Sequence, residues 1–300
     1  MSATQQQIEH LLTHGYVLIP GFLKPAELRA ARAGMSRYFP SALELAKTPH
    51  RYGWVFDDPE NLQIEFPYAD DTLNNITTHP RILSLARKLI GVDDILLSQA
   101  AIWAKYAGTA SFEQTMHLDY EGNTLVVPRD DGPYRQVNLI LYYSDVTEEL
   151  GPTYVVSQTK TKNAGLWPPF RPRDRYRSLY KHEAPMVAGA GSMLIFTMST
   201  FHRAGEILAE QGARYSHHLV YRAASVTFNG HHQFSRYGEK PEMHRFIQRA
   251  TPEQRHAVGF PPPGHDYWTQ GTLAAVGRRY PKLDLKPYAD ALSYRTVREA

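Results

Sequence analysis

Between Ile95 and Ala224 the chain breaks into eight short segments, among them "ILLSQAAIWAKY", "QTMHLDY", "TLVVPR", "RQVNLILYYSDV", "SMLIFTM" and "RYSHHLVYRAA". Each is rich in β-branched and aromatic residues and is fenced by Gly, Pro or Asp. Segments that short read as strands, and about eight of them in succession fit two packed sheets that cover or close most of their edges. The expectation is a mainly β protein with flanking helices, its core a double-sheet barrel over about residues 95–225. The flanks have a different texture. "ATQQQIEHLLTHG" reads as an amphipathic helix stopped by Gly15, and "YVLIPGF" after it as a strand. "KPAELRAARAGMSRYF" carries Pro25 in its first turn, where a missing N–H costs little. In "HPRILSLARKLIG", Ile82, Leu85, Ala86 and Leu89 fall at helical spacing before Gly91. Beyond about Ala224 the pattern is helical and irregular. No linker or repeat divides the chain, so a single domain over 1–300 is expected, with N-terminal helices over about 1–92 and a tail over about 226–300.

Composition removes several function classes. There is no cysteine among the 300 residues, which excludes disulfides, thiolate metal sites and a cysteine nucleophile. A net charge of +3 is too small to argue for nucleic acid. The longest apolar run, "LILYY", is far short of the roughly 20 residues of a spanning helix, so no membrane partner is expected. The opening "MSATQQQIEHLL" lacks a basic stretch followed by an apolar one, and a cytoplasmic protein is the expectation.

Within "TMHLDYEG", His117 and Asp119 are two residues apart. On a strand they share a face and can converge on one ion. Two histidines and a carboxylate suit a divalent first-row metal and leave open positions, the arrangement used for non-haem Fe(II) and O₂. The third ligand must come from another strand, and His202, after the apolar "SMLIF" and before Gly205, is the best placed. Arg214 follows beyond the turn-like "EQGA", where a hairpin would return it beside His202 and let its fork grip a carboxylate. Ser216 shares that strand face. His217 and His218 alternate, so at most one faces the site, and His231 and His232 read as a loop pair.

The ordered set His117, Asp119, His202 and Arg214 resembles the signature of the Fe(II)/2-oxoglutarate-dependent dioxygenases. The chain is similar to their phytanoyl-CoA dioxygenase branch through "THGYVLIPGFLKPAEL", "HPRILSLARKLIG", "ELGPTYVVSQTK" and "GAGSMLIFTMSTFHRAGE". The resemblance spans about residues 8–225 and implies a double-stranded β-helix of the jelly-roll or cupin-like kind. It implies His117, Asp119 and His202 as catalytic metal ligands, with Fe(II), 2-oxoglutarate and O₂ as the cofactors. Arg214 would hold the far carboxylate of 2-oxoglutarate, with Ser216, Gln99 and Lys105 as further contacts. One departure is Ala204, where the family often has a small polar residue. The implied reaction oxidises an unactivated C–H bond of a small molecule and releases succinate and CO₂. Related halogenases lack the carboxylate that Asp119 supplies, so hydroxylation is expected, with desaturation, ring closure and epimerisation left open. A carboxylate-binding or sensing barrel without catalysis, and a zinc-dependent hydrolase on the same three ligands, are the alternatives.

For the substrate, Trp54, Tyr120, Tyr142 and Trp167 are candidate pocket residues. The loop from Gln158 to His182 carries a local charge of +6. It reads either as a solvated excursion or as a lid whose cations, Arg171 among them, favour an anionic substrate.

Overall fold

The structure, a computed structural model, describes residues 3–57, 62–109, 113–120, 124–228, 234–238 and 240–299. Among the described residues, nine strands form two sheets: β1 (Tyr16–Ile19), β2 (Gln63–Glu65), β3 (Ile95–Tyr106), β4 (Val137–Tyr142), β5 (Thr153–Val156), β6 (Glu183–Pro185), β7 (Met193–Thr197), β8 (His202–Ala204) and β9 (Ala213–Ala223). The major sheet has the order β1-β7-β4-β9-β3-β2 and the minor sheet the order β6-β5-β8. Every pairing is antiparallel. This is the expected jelly-roll with helices around it.

The expected helices are present and owe their ends to the residues named above. Pro80–Ile90 is capped by the His79 side chain and ends at Gly91, whose φ of +86° is a conformation that favours glycine. It buries Ile82, Leu83, Leu85, Ala86, Leu89 and Ile90. These join one apolar cluster with the outward face of β3, β4 and β9, and with Phe246, Trp268 and Tyr288 from the C-terminal segment. Phe66, beside β2, meets Phe234 and Phe246 edge-on at 5.4 and 5.1 Å, so N-terminal and C-terminal chain share one core. No helix among the described residues is long and apolar enough to cross a membrane.

Two expected strands are not formed as ladders. "QTMHLDY" makes only the single bridges Met116–Arg171 and His117–His202. "TLVVPR" has no ladder partner beyond single contacts, and Leu125 is 90 % exposed. Pro128 removes a donor, and Val126 and Val127 stay exposed like Leu125, so β propensity alone is overruled.

The inner face of the major sheet is read row by row from the register. Lys105 faces Arg214, Trp103 faces Ser216, Ala101 faces His218, and Gln99 faces Val220. On the other side of β9, Tyr142, Ile140 and Asn138 face Ser216, His218 and Val220. The outward face carries His217 instead. Its Nε2 lies 3.0 Å from the Tyr68 hydroxyl and 3.1 Å from that of Thr77, and its Nδ1 lies 2.7 Å from the Tyr143 hydroxyl. Burial, with a smaller contribution from His218, pushes His217 down to about 3.

A buried imidazole kept neutral makes the folded state bind fewer protons than the unfolded chain below pH 6.5. Stability is therefore lost as pH falls from about 6.5 toward 3, at up to about 1.4 kcal/mol per pH unit from this residue. His217→Ala is expected to lower the unfolding free energy at pH 7 by about 3 kcal/mol, through a cavity and two tyrosine hydroxyls left unpaired. It should also flatten the decline between pH 7 and pH 5. Urea unfolding at both pH values checks each part.

Candidate active site

β8 and the chain around His117 form a reciprocal backbone bridge. His117 N–H donates to the His202 carbonyl at 2.9 Å, and His202 N–H donates to the His117 carbonyl at 3.0 Å. The bridge puts the two imidazoles side by side, centroids 4.4 Å apart. Each ring is then oriented by its own chain: Nδ1 of His117 lies 2.8 Å from the Thr115 carbonyl, and Nδ1 of His202 lies 3.0 Å from the Thr200 carbonyl. A carbonyl only accepts, so both Nδ1 atoms carry a proton and both Nε2 atoms point inward, where loss of their proton frees a lone pair for a metal. Those Nε2 atoms stand 3.3 and 3.2 Å from the two oxygens of Asp119. All three ligand atoms lie within 4.8 Å of one another. Burial alone would raise the Asp119 carboxyl, but His202 and His117 outweigh it and hold the group well below the usual carboxylate range. For His117, burial lowers the ring while Asp119 raises it, and the rise prevails. The donor set fits a divalent first-row ion: two Nε2 atoms fixed inward and one ionised carboxylate.

β8 is held in place from behind. Arg203 forks onto Glu183 with two 2.7 Å hydrogen bonds, reaches Glu113 at 2.8 Å and lies over the Tyr154 ring. Phe196 and Phe170 flank the imidazoles of His202 and His117 at 4.4 and 5.9 Å.

The triad opens on a cavity of about 370 Å³ over the inner face of the major sheet. One end of it is cationic. Arg214 is buried, donates from Nη1 to the Gly151 carbonyl, and has no partner at Nε. Opposite, Lys105 donates from Nζ to the Gly205 carbonyl at 2.7 Å. Burial chiefly, then the nearby Arg214, lower Lys105 to about 8, with Glu206 opposing. A buried guanidinium with an orphaned nitrogen, beside a half-buried ammonium, fits the far carboxylate of a dicarboxylic acid.

Gln99, Lys105, Arg214 and Ser216 all line this cavity, as does His218, while His217 faces the core. The register separates Gln99 from the cationic end. It lies six residues along β3 from Lys105, about 20 Å at 3.3 Å per residue. The expected substrate residues are elsewhere. Trp54 packs against the apolar core, and its neighbours Val55 and Phe56 reach the cavity instead. The Tyr120 hydroxyl donates to the Leu166 carbonyl at 2.7 Å. Tyr142 is fully buried, 3.3 Å from the Thr153 hydroxyl. Trp167 is 70 % exposed and away from the cavity. Arg171 is buried, pairs its backbone with Met116 and donates to the carbonyls of Ala164, Gly165 and Trp167. It staples the basic loop. Arg173 is paired with Glu113, and no cation of that loop lines the cavity. The expectation of an anionic substrate thus loses the residues that carried it. His231 and His232 lie outside the described residues. Asn138 is among the cavity residues that sequence reasoning missed, and its signal was a lone amide in the apolar run "VNLILYY".

The family model for phytanoyl-CoA dioxygenase matches residues 11–215. No curated protein matches the chain. Among solved structures, the chain is similar to the epimerase SnoN, determined with Fe³⁺, alpha-ketoglutarate and nogalamycin RO. The two share 18 % identity over 74 % of this chain and 84 % of that one, with a TM-score of 0.53. It is also similar to the carbocyclase SnoK from nogalamycin biosynthesis, at 18 % identity over 78 % and 89 % and a TM-score of 0.56. HygX from Streptomyces hygroscopicus, with nickel and 2-oxoglutarate bound, is 15 % identical over 76 % and 89 %, with a TM-score of 0.54.

Because Arg171 ties three loop carbonyls together from a buried position, Arg171→Ala is expected to destabilise the protein by about 2–3 kcal/mol. Residues 158–182 should become the first site of limited proteolysis, with urea unfolding and peptide mapping as the measurements.

Proposed function

The chain belongs to the phytanoyl-CoA dioxygenase family, and from that premise we propose that His117, Asp119 and His202 hold the catalytic iron of a small-molecule hydroxylase. As a member it is a non-haem iron, 2-oxoglutarate-dependent oxygenase. The observation that carries the reading is the convergence of both Nε2 atoms and the Asp119 carboxylate on one point of a cavity whose far end holds Arg214 without a counter-charge. A zinc hydrolase or a passive carboxylate binder would use one half of this arrangement and leave the other idle.

The residues divide the work. The reciprocal bridge and the two Nδ1 hydrogen bonds fix the ligand set before any metal arrives, so little reorganisation is needed on binding. Arg214 takes the remote carboxylate of 2-oxoglutarate in its fork, with Lys105 adding a second positive charge beside it. Ser216, whose hydroxyl lies 3.0 Å from His218 Nε2, borders the same carboxylate position. Bound Fe(II) with 2-oxoglutarate supplies the O₂ activation that oxidises a C–H bond and yields succinate and CO₂. Phe196 and Phe170 keep the edges of the triad apolar, and Asp119 occupies the position at which a halide would otherwise be held. Hydroxylation or a related oxidation, rather than halogenation, is therefore the outcome we assign.

His202→Ala is expected to stay folded and to bind less than a tenth of an equivalent of Fe(II) under argon, because one of three protein ligands and the facial geometry go together. Metal analysis after desalting reads this. Iron retained at full stoichiometry would remove His202 from the site. Arg214→Lys keeps the charge and loses the fork. Loss of such a buried pair, worth on the order of 2–5 kcal/mol, should raise the dissociation constant for 2-oxoglutarate about 30-fold or more while Fe(II) still binds. Anaerobic titration of the visible charge-transfer band measures both.

A further inference from the structure

The cavity has a second end that the reading above does not use. β3 carries an irregularity there: Leu97 pairs with Tyr221, yet Gln99 pairs with Val220, so Ser98 is an extra residue. A regular ladder would have set Ser98 opposite Val220. The bulge takes Ser98 out of the ladder, with its hydroxyl buried and unpartnered, and turns Gln99 to the inner face. Asn138 occupies the same row on the other side of Val220. The two amides thus stand about 9–10 Å apart across β9, within joint reach of one bound group. The Gln99 amide has no hydrogen-bond partner among the described residues, and Asn138 uses only Nδ2, on the Met198 sulfur at 3.4 Å. Both line the cavity.

The triad overhangs the space between this end and the cationic one. Phe196, the neighbour of Asn138 in the register, touches the His202 ring, and Asp119 and His202 both act electrostatically on His218. The charged lining groups are accounted for. His117, Asp119 and His202 form the ligand set, and Lys105 and Arg214 face the cosubstrate. Burial foremost, then Arg214, push His218 down to about 3, so that it is neutral at pH 7. Among the described lining residues the rest are uncharged, including Gln99, Asn138 and the apolar Val55, Leu62 and Val220. Arg222, one row beyond Val220 on the same face of β9, is turned onto the Ala223 and Val226 carbonyls and does not line the cavity.

Resting on the iron and 2-oxoglutarate reading, we propose that Gln99 and Asn138 form the substrate-reading subsite. It selects an uncharged molecule that presents an amide-like donor and acceptor pair on an apolar skeleton. A charged group entering that end would be stripped of water and meet no counter-charge among the described lining residues, whereas an amide completes the hydrogen bonds of the two side chains.

The test uses three isosteres on the holoprotein, loaded with Fe(II) and 2-oxoglutarate under argon: cyclohexanecarboxamide, cyclohexanecarboxylate and cyclohexylmethylammonium. Calorimetric titration is expected to give the carboxamide a millimolar dissociation constant, as fits a probe of about nine heavy atoms. The acid and the ammonium should bind at least about 10-fold more weakly. Gln99→Glu should reverse the order in favour of the ammonium, and Asn138→Asp serves the same purpose if the first variant does not fold. The proposal is overturned if the acid or the ammonium binds as tightly as the carboxamide. It is equally overturned if the carboxamide fails to bind below about 50 mM, or if the acidic variants leave the order unchanged. The charge-transfer band of the parent protein separates the two levels. Its absence would sink the iron reading and this one with it, while a normal band without carboxamide preference sinks this one alone.

Discussion

Strand β9 lies hydrogen-bonded between β3 and β4, and its strict alternation of faces is the constraint on which the molecule is organised. Even-numbered Arg214, Ser216, His218 and Val220 meet the cavity, while odd-numbered Tyr215, His217 and Tyr221 meet the core. A slip of one residue would exchange these sets. It would carry a guanidinium into the apolar layer and a histidine out of its three-hydroxyl cage. The chemistry and the core thus depend on the same register.

The metal-binding half of the site was legible because its signal is local or nearly so. A two-residue spacing at His117 and Asp119 is a local signal, and Arg214 follows His202 in order, although the expected hairpin between them is not formed: β8 pairs with β5 in the minor sheet, and β9 pairs with β3 and β4 in the major one. The pocket aromatics were not legible, because side-chain direction depends on neighbours distant in sequence. Trp54 and Tyr120 have the composition of pocket residues, yet one is drawn into the core and the other onto the Leu166 carbonyl. Arg171 misled for a related reason. A cation in a Pro-rich loop looks solvated, and only the fold reveals three carbonyls converging on it.

Gln99 shows the same limit from the other side. Counting by twos from Leu97 does place it on one face, but which face is decided by the extra residue at Ser98, and a bulge has no fixed sequence mark. The segment "TLVVPR" erred in the opposite sense, since its strand propensity found no edge to join. The fold class survived both errors because it rests on the sum of many short apolar segments rather than on any one.

The paired cations Lys105 and Arg214 have a consequence for how the protein persists as well as for how it reacts. Held together at low dielectric, they oppose folding until an anion lies between them. A ligand that binds only the folded chain shifts the equilibrium by mass action, adding about 1.4 kcal/mol for each tenfold rise above its dissociation constant. With 2-oxoglutarate as that ligand, its level in the surroundings would set how much of the chain is protected from unfolding and from proteases.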